Sequence, residues 1–178
     1  MPTLLFVCEG NVCRSPFAER LALASAPGDW NFTSAGLGAL VGAPMDDLMA
    51  KELRRRGGDP VGFEARQLTP RVVREADLVV TMQRAQRERV VEDHPGRAAV
   101  TLTLGQLART LERLPGVDDA GLIAAIRRNR ASVHPDEDIA DPMGRGPEAA
   151  RNCADTLEAG VRRIVGRLAA QPAGGGSV

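Results

Sequence analysis

The stretch Thr3-Leu4-Leu5-Phe6-Val7-Cys8-Glu9-Gly10-Asn11-Val12-Cys13-Arg14-Ser15-Pro16 joins an aliphatic run to a helix start within one short turn. Thr3 to Val7 reads as a strand, and Ser15-Pro16 reads as a helix start. Serine is a preferred cap, and proline at the first helical position loses only an N–H that has no partner there anyway. A turn from strand to helix lies at the C-terminal edge of a sheet, where open α/β folds bind ligands. Gly10 and Asn11 are residue types that tolerate φ > 0, so the backbone is expected to curl and point successive N–H groups inward as an anion nest. The helix N-terminus adds its unpaired N–H groups and positive dipole end. Arg14 adds a planar fork that holds two oxygens of one phosphate.

Beyond this stretch, short aliphatic runs alternate with amphipathic segments of helical length, the pattern of a parallel sheet with helices on both faces. The expected strands are Thr3 to Val7, Phe32 to Ala35, Asp77 to Met82 and Ala98 to Thr103. The expected helices are Pro16 to Ser25, Asp46 to Arg56, Pro70 to Glu75, Arg84 to Asp93, Leu104 to Leu114, Asp118 to Arg128 and Pro147 to Leu168. Thr69-Pro70 repeats the cap-then-proline signal. Residues 1–170 read as a single domain. The stretch 171–178, with its Gly174-Gly175-Gly176-Ser177 run, has nothing to bury and is expected to be a flexible tail.

The chain has 178 residues, enough to bury roughly 70% of the surface that its unfolded form exposes. Lys+Arg and Asp+Glu are both 23. That balance gives no electrostatic footprint for nucleic acid. The N-terminus lacks the basic segment and long apolar run of a signal peptide or membrane span, so a cytoplasmic protein with no membrane partner is expected. Three cysteines, Cys8, Cys13 and Cys153, make neither a disulfide framework nor a zinc pattern, which leaves redox and nucleophilic roles.

Cys8 sits at the mouth of the anion cradle. A thiol among donors, an arginine and a helix N-terminus is expected to ionise below the free value of about 8.5, and a thiolate in a phosphate cradle is a nucleophile aimed at phosphorus. The alternative is a small buried hydrophobe at a strand end. The C-x5-R-S spacing, together with glycine, asparagine and proline, favours the nucleophile.

Cys8 to Pro16 resembles the phosphate-binding loop of the low-molecular-weight protein tyrosine phosphatase family. The likeness extends to Ser34-Ala35-Gly36, Ala65-Arg66-Gln67-Leu68-Thr69-Pro70, Ala76-Asp77-Leu78-Val79 and Asp138-Ile139-Ala140-Asp141-Pro142. It implies a four-stranded, parallel, doubly wound α/β sheet and phosphomonoester hydrolysis with no metal and no cofactor, through a cysteinyl-phosphate intermediate. By the same resemblance the nucleophile falls on Cys8, the phosphate clamp on Arg14, the loop-shaping asparagine on Asn11, the thiolate-holding hydroxyl on Ser15 and the general acid on Asp141. The whole loop, Glu9, Gly10, Asn11, Val12, Cys13, Arg14 and Ser15, would wrap the phosphate. Cys13 would be a redox partner that captures oxidised Cys8, relatives in the family carrying a similar pair. An aspartate at the leaving oxygen also makes independent sense, since a departing phenoxide or alkoxide needs a proton. The alternative for Asp141 is a plain acidic turn beside Asp136-Glu137-Asp138.

Met143 replaces the tyrosine common in the family, so Leu37, Leu40 and Met143 are expected to form an apolar rim that covers a phenyl ring without stacking on it. Val12 stands where the arginine-phosphatase branch carries threonine and suits an aryl substrate better. Phe63 falls where many relatives place a histidine near the loop asparagine, which removes that support from Asn11. Residues 105–134 form a connection longer than the family's usual one, with two extra helices that lead into the acid loop and would cover the pocket as a lid. The expected partner is a phosphorylated protein or a small aryl phosphate. Two other readings stand beside phosphatase: a thioredoxin-coupled arsenate reductase, and a non-catalytic phosphate-binding regulatory module. The reductase needs resolving cysteines beyond mid-chain, and none occurs between Cys13 and Cys153.

Overall fold

A computed structural model describes residues 1–25, 30–115, 117 and 119–169. The expected tail at 171–178 lies outside the described residues. Four strands, β1 (Thr3–Cys8), β2 (Asn31–Gly36), β3 (Leu78–Thr81) and β4 (Thr101–Thr103), pair in parallel in the order β2-β1-β3-β4. The helices are α1 (Arg14–Ser25), α2 (Asp47–Arg55), α3 (Pro70–Glu75), α4 (Arg84–Asp93), α5 (Leu104–Glu112), α6 (Asp119–Arg128) and α7 (Gly146–Ala169).

Both faces of the sheet are covered, and the period of two along each strand sorts the core into two layers. Leu4, Phe6, Leu78 and Val80 pack with Phe17 and Leu21 of α1 and with Leu157, Val161 and Ile164 of α7. Leu5, Val7 and Val79 pack on the opposite face with Val73 of α3 and Val90 of α4. Arg56, just past α2, binds Glu52 at 2.7 Å and reaches across to Glu158 at 2.8 Å and to Asp155, which ties α2 to α7. The strand order reverses direction at β1, so the loop that leaves β1 opens onto the crevice at the switch point.

The expected elements are present with shifted ends. The strand anticipated over Ala98 to Thr103 is a 3-10 helix over Pro95–Val100 followed by the three-residue β4, because Pro95 starts a tight turn that uses up the first half of the run. Thr69 does cap α3, accepting from Val72 N at 3.3 Å. Ser15 does not cap α1. The helix begins one residue before it, at Arg14, and Pro16 is accommodated in the first turn, where backbone N–H groups lack partners in any case. The 105–134 segment supplies α5 and α6, and its lid role is not realised. Leu107, Ala108 and Leu111 of α5 and Leu122 and Ile126 of α6 are buried in the main core instead.

Candidate active site

Residues 8–13 curl between β1 and α1, and the loop that follows β2 holds their carbonyls on the outside. Leu37 N donates to Cys8 O, Gly38 N to Glu9 O and Leu40 N to Gly10 O, each at 3.0 Å, and Asp46 N donates to Val12 O at 2.8 Å. A trans peptide sets each carbonyl against the N–H of the next residue. With the carbonyls drawn outward, the amides of Glu9, Gly10, Asn11 and Cys13 are turned toward the concave side, the orientation that an anion nest requires. The curl is carried by Asn11, at φ 54°, and not by Gly10. A glycine is required instead at Gly36, where a Cβ would stand 2.5 Å from Glu9 O.

Asn11 is fully buried and organises the floor. Its Nδ2 donates to Ser15 Oγ and to Ser34 Oγ, both at 2.9 Å, and its Oδ1 accepts from Arg66 N at 2.8 Å. Because Ser15 accepts from Asn11, its own proton is free to point at Cys8 Sγ, 2.9 Å away. The chain extends backward, since Ser34 Oγ donates to Glu19 Oε2 at 2.6 Å. Glu19 is held above the ordinary carboxyl value by burial, against the opposing effects of Ser34, Arg20 and Arg66. Phe63 takes no part; its ring lies under the Arg20 guanidinium, 5.7 Å from centroid to Cζ.

Arg14, 2% exposed, donates from NH1 to Ile139 O at 3.0 Å and from NH2 to Asp141 Oδ2 at 2.6 Å. Its buried Nε has no hydrogen-bond partner, a donor of the kind that is costly to leave idle and suited to an anion. Asp141 Oδ1 accepts from Met143 N at 3.2 Å in a tight turn. Cys8, Arg14 and Asp141 are therefore brought to one end of the sheet although more than 120 positions separate the first two from the third. A cleft of about 340 Å³ lies there, lined by Glu9, Arg14, Leu37, Gln83, Ala85, Gln86, Arg89 and Asp141.

Of the expected rim, Leu37 lines this cleft, while Leu40 and Met143 are about half exposed and do not line it. Sequence reading missed Gln83, Gln86 and Arg89, although they follow β3 at the same sheet edge that flagged Cys8. It also missed Ser34, Arg66 and Glu19, which meet Asn11 only through tertiary contacts. Cys8 itself is buried, 2% exposed, at the base of the loop. The Cys13 thiol is pushed well above its ordinary value by burial, then by Asp46 and Asp141. Burial pushes Cys153 up to about 12. Among the described residues no group of three or more His, Cys, Asp or Glu side chains is placed to hold a metal ion, and no helix is long and apolar enough to cross a membrane.

The sequence model of the "Low molecular weight phosphotyrosine protein phosphatase" family matches residues 3–173. The chain is 39% identical over 105 residues to the probable low molecular weight protein-tyrosine-phosphatase EpsP of Ralstonia nicotianae, covering 59% of this chain and 72% of that one. It is 38% identical over 102 residues to the low molecular weight protein-tyrosine-phosphatase Wzb of Escherichia coli K12, covering 57% and 69%. Among solved structures it is similar to the YwlE arginine phosphatase of Geobacillus stearothermophilus, with a TM-score of 0.74 at 27% identity over 94% of this chain and 93% of that one. With the sheet order, the loop and the matched span in agreement, this chain belongs to the low molecular weight protein-tyrosine-phosphatase family, the cysteine-dependent phosphatases.

Proposed function

We propose that the chain hydrolyses phosphotyrosine in proteins, and small aryl phosphates, through a cysteinyl-phosphate intermediate without a metal. The observation that supports this reading is the outward-held carbonyls of the loop, with Ser15 Oγ on Cys8 Sγ and Arg14 paired to Asp141. Cys8 Sγ attacks phosphorus while the bond to the leaving oxygen breaks, and Asp141 gives that oxygen a proton. Water then attacks the cysteinyl phosphate, Asp141 takes back a proton, and inorganic phosphate leaves with the Cys8 thiolate restored. The inward amides and Arg14 Nε stabilise the equatorial oxygens as charge builds on them.

The Arg14–Asp141 pair couples binding to proton delivery. A phosphate dianion competes for the Arg14 fork and releases Asp141 from it. Once released, the Asp141 carboxyl is free to turn toward the leaving oxygen. Val12 and Leu37, both buried and apolar, and the exposed Leu40 and Met143 support an aryl over a guanidinium substrate. Cys13 is the proposed redox partner. Neither the arsenate reductase nor the non-catalytic module is favoured, and a relay through Cys153 would run through a buried thiol held near 12.

Turnover of p-nitrophenyl phosphate in excess EDTA tests the reading. Activity that persists with chelator and vanishes in Cys8→Ser is expected. Activity restored only by added metal, or kept in Cys8→Ser, would contradict it.

A further inference from the structure

The segment that bears Asp141 hangs from helix α5 by one ion pair. Arg109 Nε lies 2.6 Å from Glu137 Oε1, and Arg109 NH2 donates to Glu137 Oε2 at 2.8 Å and to Ser132 O at 2.6 Å. Two more side chains of α5 grip the approach to this segment: Gln106 Nε2 donates to Ala131 O at 2.8 Å, and Thr110 Oγ1 accepts from Ala131 N at 3.0 Å. The fit at Glu137 is close. A Cβ at Gly105 would stand 2.7 Å from its carboxyl carbon, so α5 presents a bare backbone where the carboxylate lies. On the far side of Glu137, Asp138 Oδ1 accepts from Arg84 N at 2.7 Å and Ile139 N donates to Met82 O at 2.9 Å, which anchors the strand-proximal end of the loop to β3 and α4. Asp141 thus follows a side-chain brace from α5 at Glu137 and an anchor at Asp138 and Ile139, and Arg14 holds the loop directly at Ile139 O and Asp141 Oδ2.

We propose that Arg109 is a positioning residue for Asp141, acting through Glu137, and that α5 serves as a brace for the acid loop. This rests on the reading of Asp141 as the proton donor. Glu137 closes the 3-10 turn Pro135–Glu137 and leads into the irregular stretch 138–142 that carries Asp141, so freeing its carboxylate is expected to shift the loop by about 1 Å or less. A misplacement of that size costs up to about 10²-fold when the displaced group must meet a reacting atom. The loss falls on substrates whose leaving oxygen needs a proton and spares those whose leaving group departs unaided.

The test compares kcat/KM on a phosphotyrosine peptide with kcat/KM on p-nitrophenyl phosphate for the parent, Arg109→Ala, Glu137→Gln, Arg109→Lys and Asp141→Asn. Arg109→Ala is expected to lower the peptide-to-aryl ratio roughly tenfold, Glu137→Gln to lower it in the same direction, and Arg109→Lys to recover part of it. Arg109→Ala placed in the Asp141→Asn background should lower the ratio no further. An unchanged ratio in Arg109→Ala and Glu137→Gln, whatever happens to Tm, would overturn the brace, and Glu137→Gln answers the question should Arg109→Ala fail to fold. If Asp141→Asn itself leaves the ratio unchanged, the fault lies in the proton-donor reading, and the brace falls with it.

Discussion

Three hydrogen bonds converge on the Asn11 side chain, and their directions set the role of every group around it. Nδ2 donates to both serines, so Ser15 is left to donate to Cys8 and Ser34 to donate to Glu19. The buried end of this chain predicts a pH effect. In the unfolded chain Glu19 titrates near 4.5, and burial raises it in the folded protein. Below both values each state holds the proton and Glu19 costs nothing. As pH rises through the folded value, the folded state must surrender a proton that it holds more tightly than the unfolded chain does, and stability falls. Glu19→Gln, which still accepts from Ser34, should therefore raise the urea midpoint at about pH 7.5 and leave it nearly unchanged at about pH 3.5; a gain confined to the acidic sample would refute this. Cys13 gives a second residue-scale prediction. With its thiol raised by burial, Cys13 is predicted to capture peroxide-oxidised Cys8 faster as pH rises. Cys13→Ser should keep resting activity but convert peroxide inactivation from dithiothreitol-reversible to irreversible. Equal recovery of mutant and parent would remove Cys13 from that role.

Among the elements, β2 controls the loop without contributing a reacting group. Its last residue, Gly36, passes under Glu9 O with room for hydrogen only. Gly36→Ala should displace the loop, cost about 1–3 kcal/mol and lower kcat/KM for p-nitrophenyl phosphate at least tenfold. Gly96→Ala, with nothing within 4 Å of its added methyl, should do neither, and similar behaviour of the two variants would show that the loop tolerates the shift. The elements differ in how much of them the sequence discloses. β1 and β3 are legible because burial on both faces demands unbroken aliphatic runs. β4 is half-legible, since Ala98, Ala99 and Val100 carry strand-like residues into a turn that Pro95 imposes. The helix start at Ser15-Pro16 misleads because the serine's hydroxyl is committed to Cys8 and Asn11 and not to a backbone cap. Cys8 and Arg14 share one short motif and are visible at once, whereas Glu19, Ser34, Arg66 and Arg89 reach the site only when the sheet and its crossovers bring their elements together.

At the scale of the whole molecule, the order β2-β1-β3-β4 places the β1 loop, the start of α4 and the acid loop around one crevice. α7 and α5 close the core behind it. The account turns on Cys8 taking the phosphoryl group. With p-nitrophenyl phosphate, the first step needs no proton from Asp141, while hydrolysis of the intermediate still needs a base there, so Asp141→Asn should accumulate the covalent species. The most direct measurement is mass spectrometry of acid-quenched Asp141→Asn caught during turnover of p-nitrophenyl phosphate. The predicted result is one phosphoryl group on the peptide that contains Cys8, absent from the Cys8→Ser, Asp141→Asn double variant. A phosphoryl group found on another residue, or nitrophenol released with Cys8 never modified, would contradict the account.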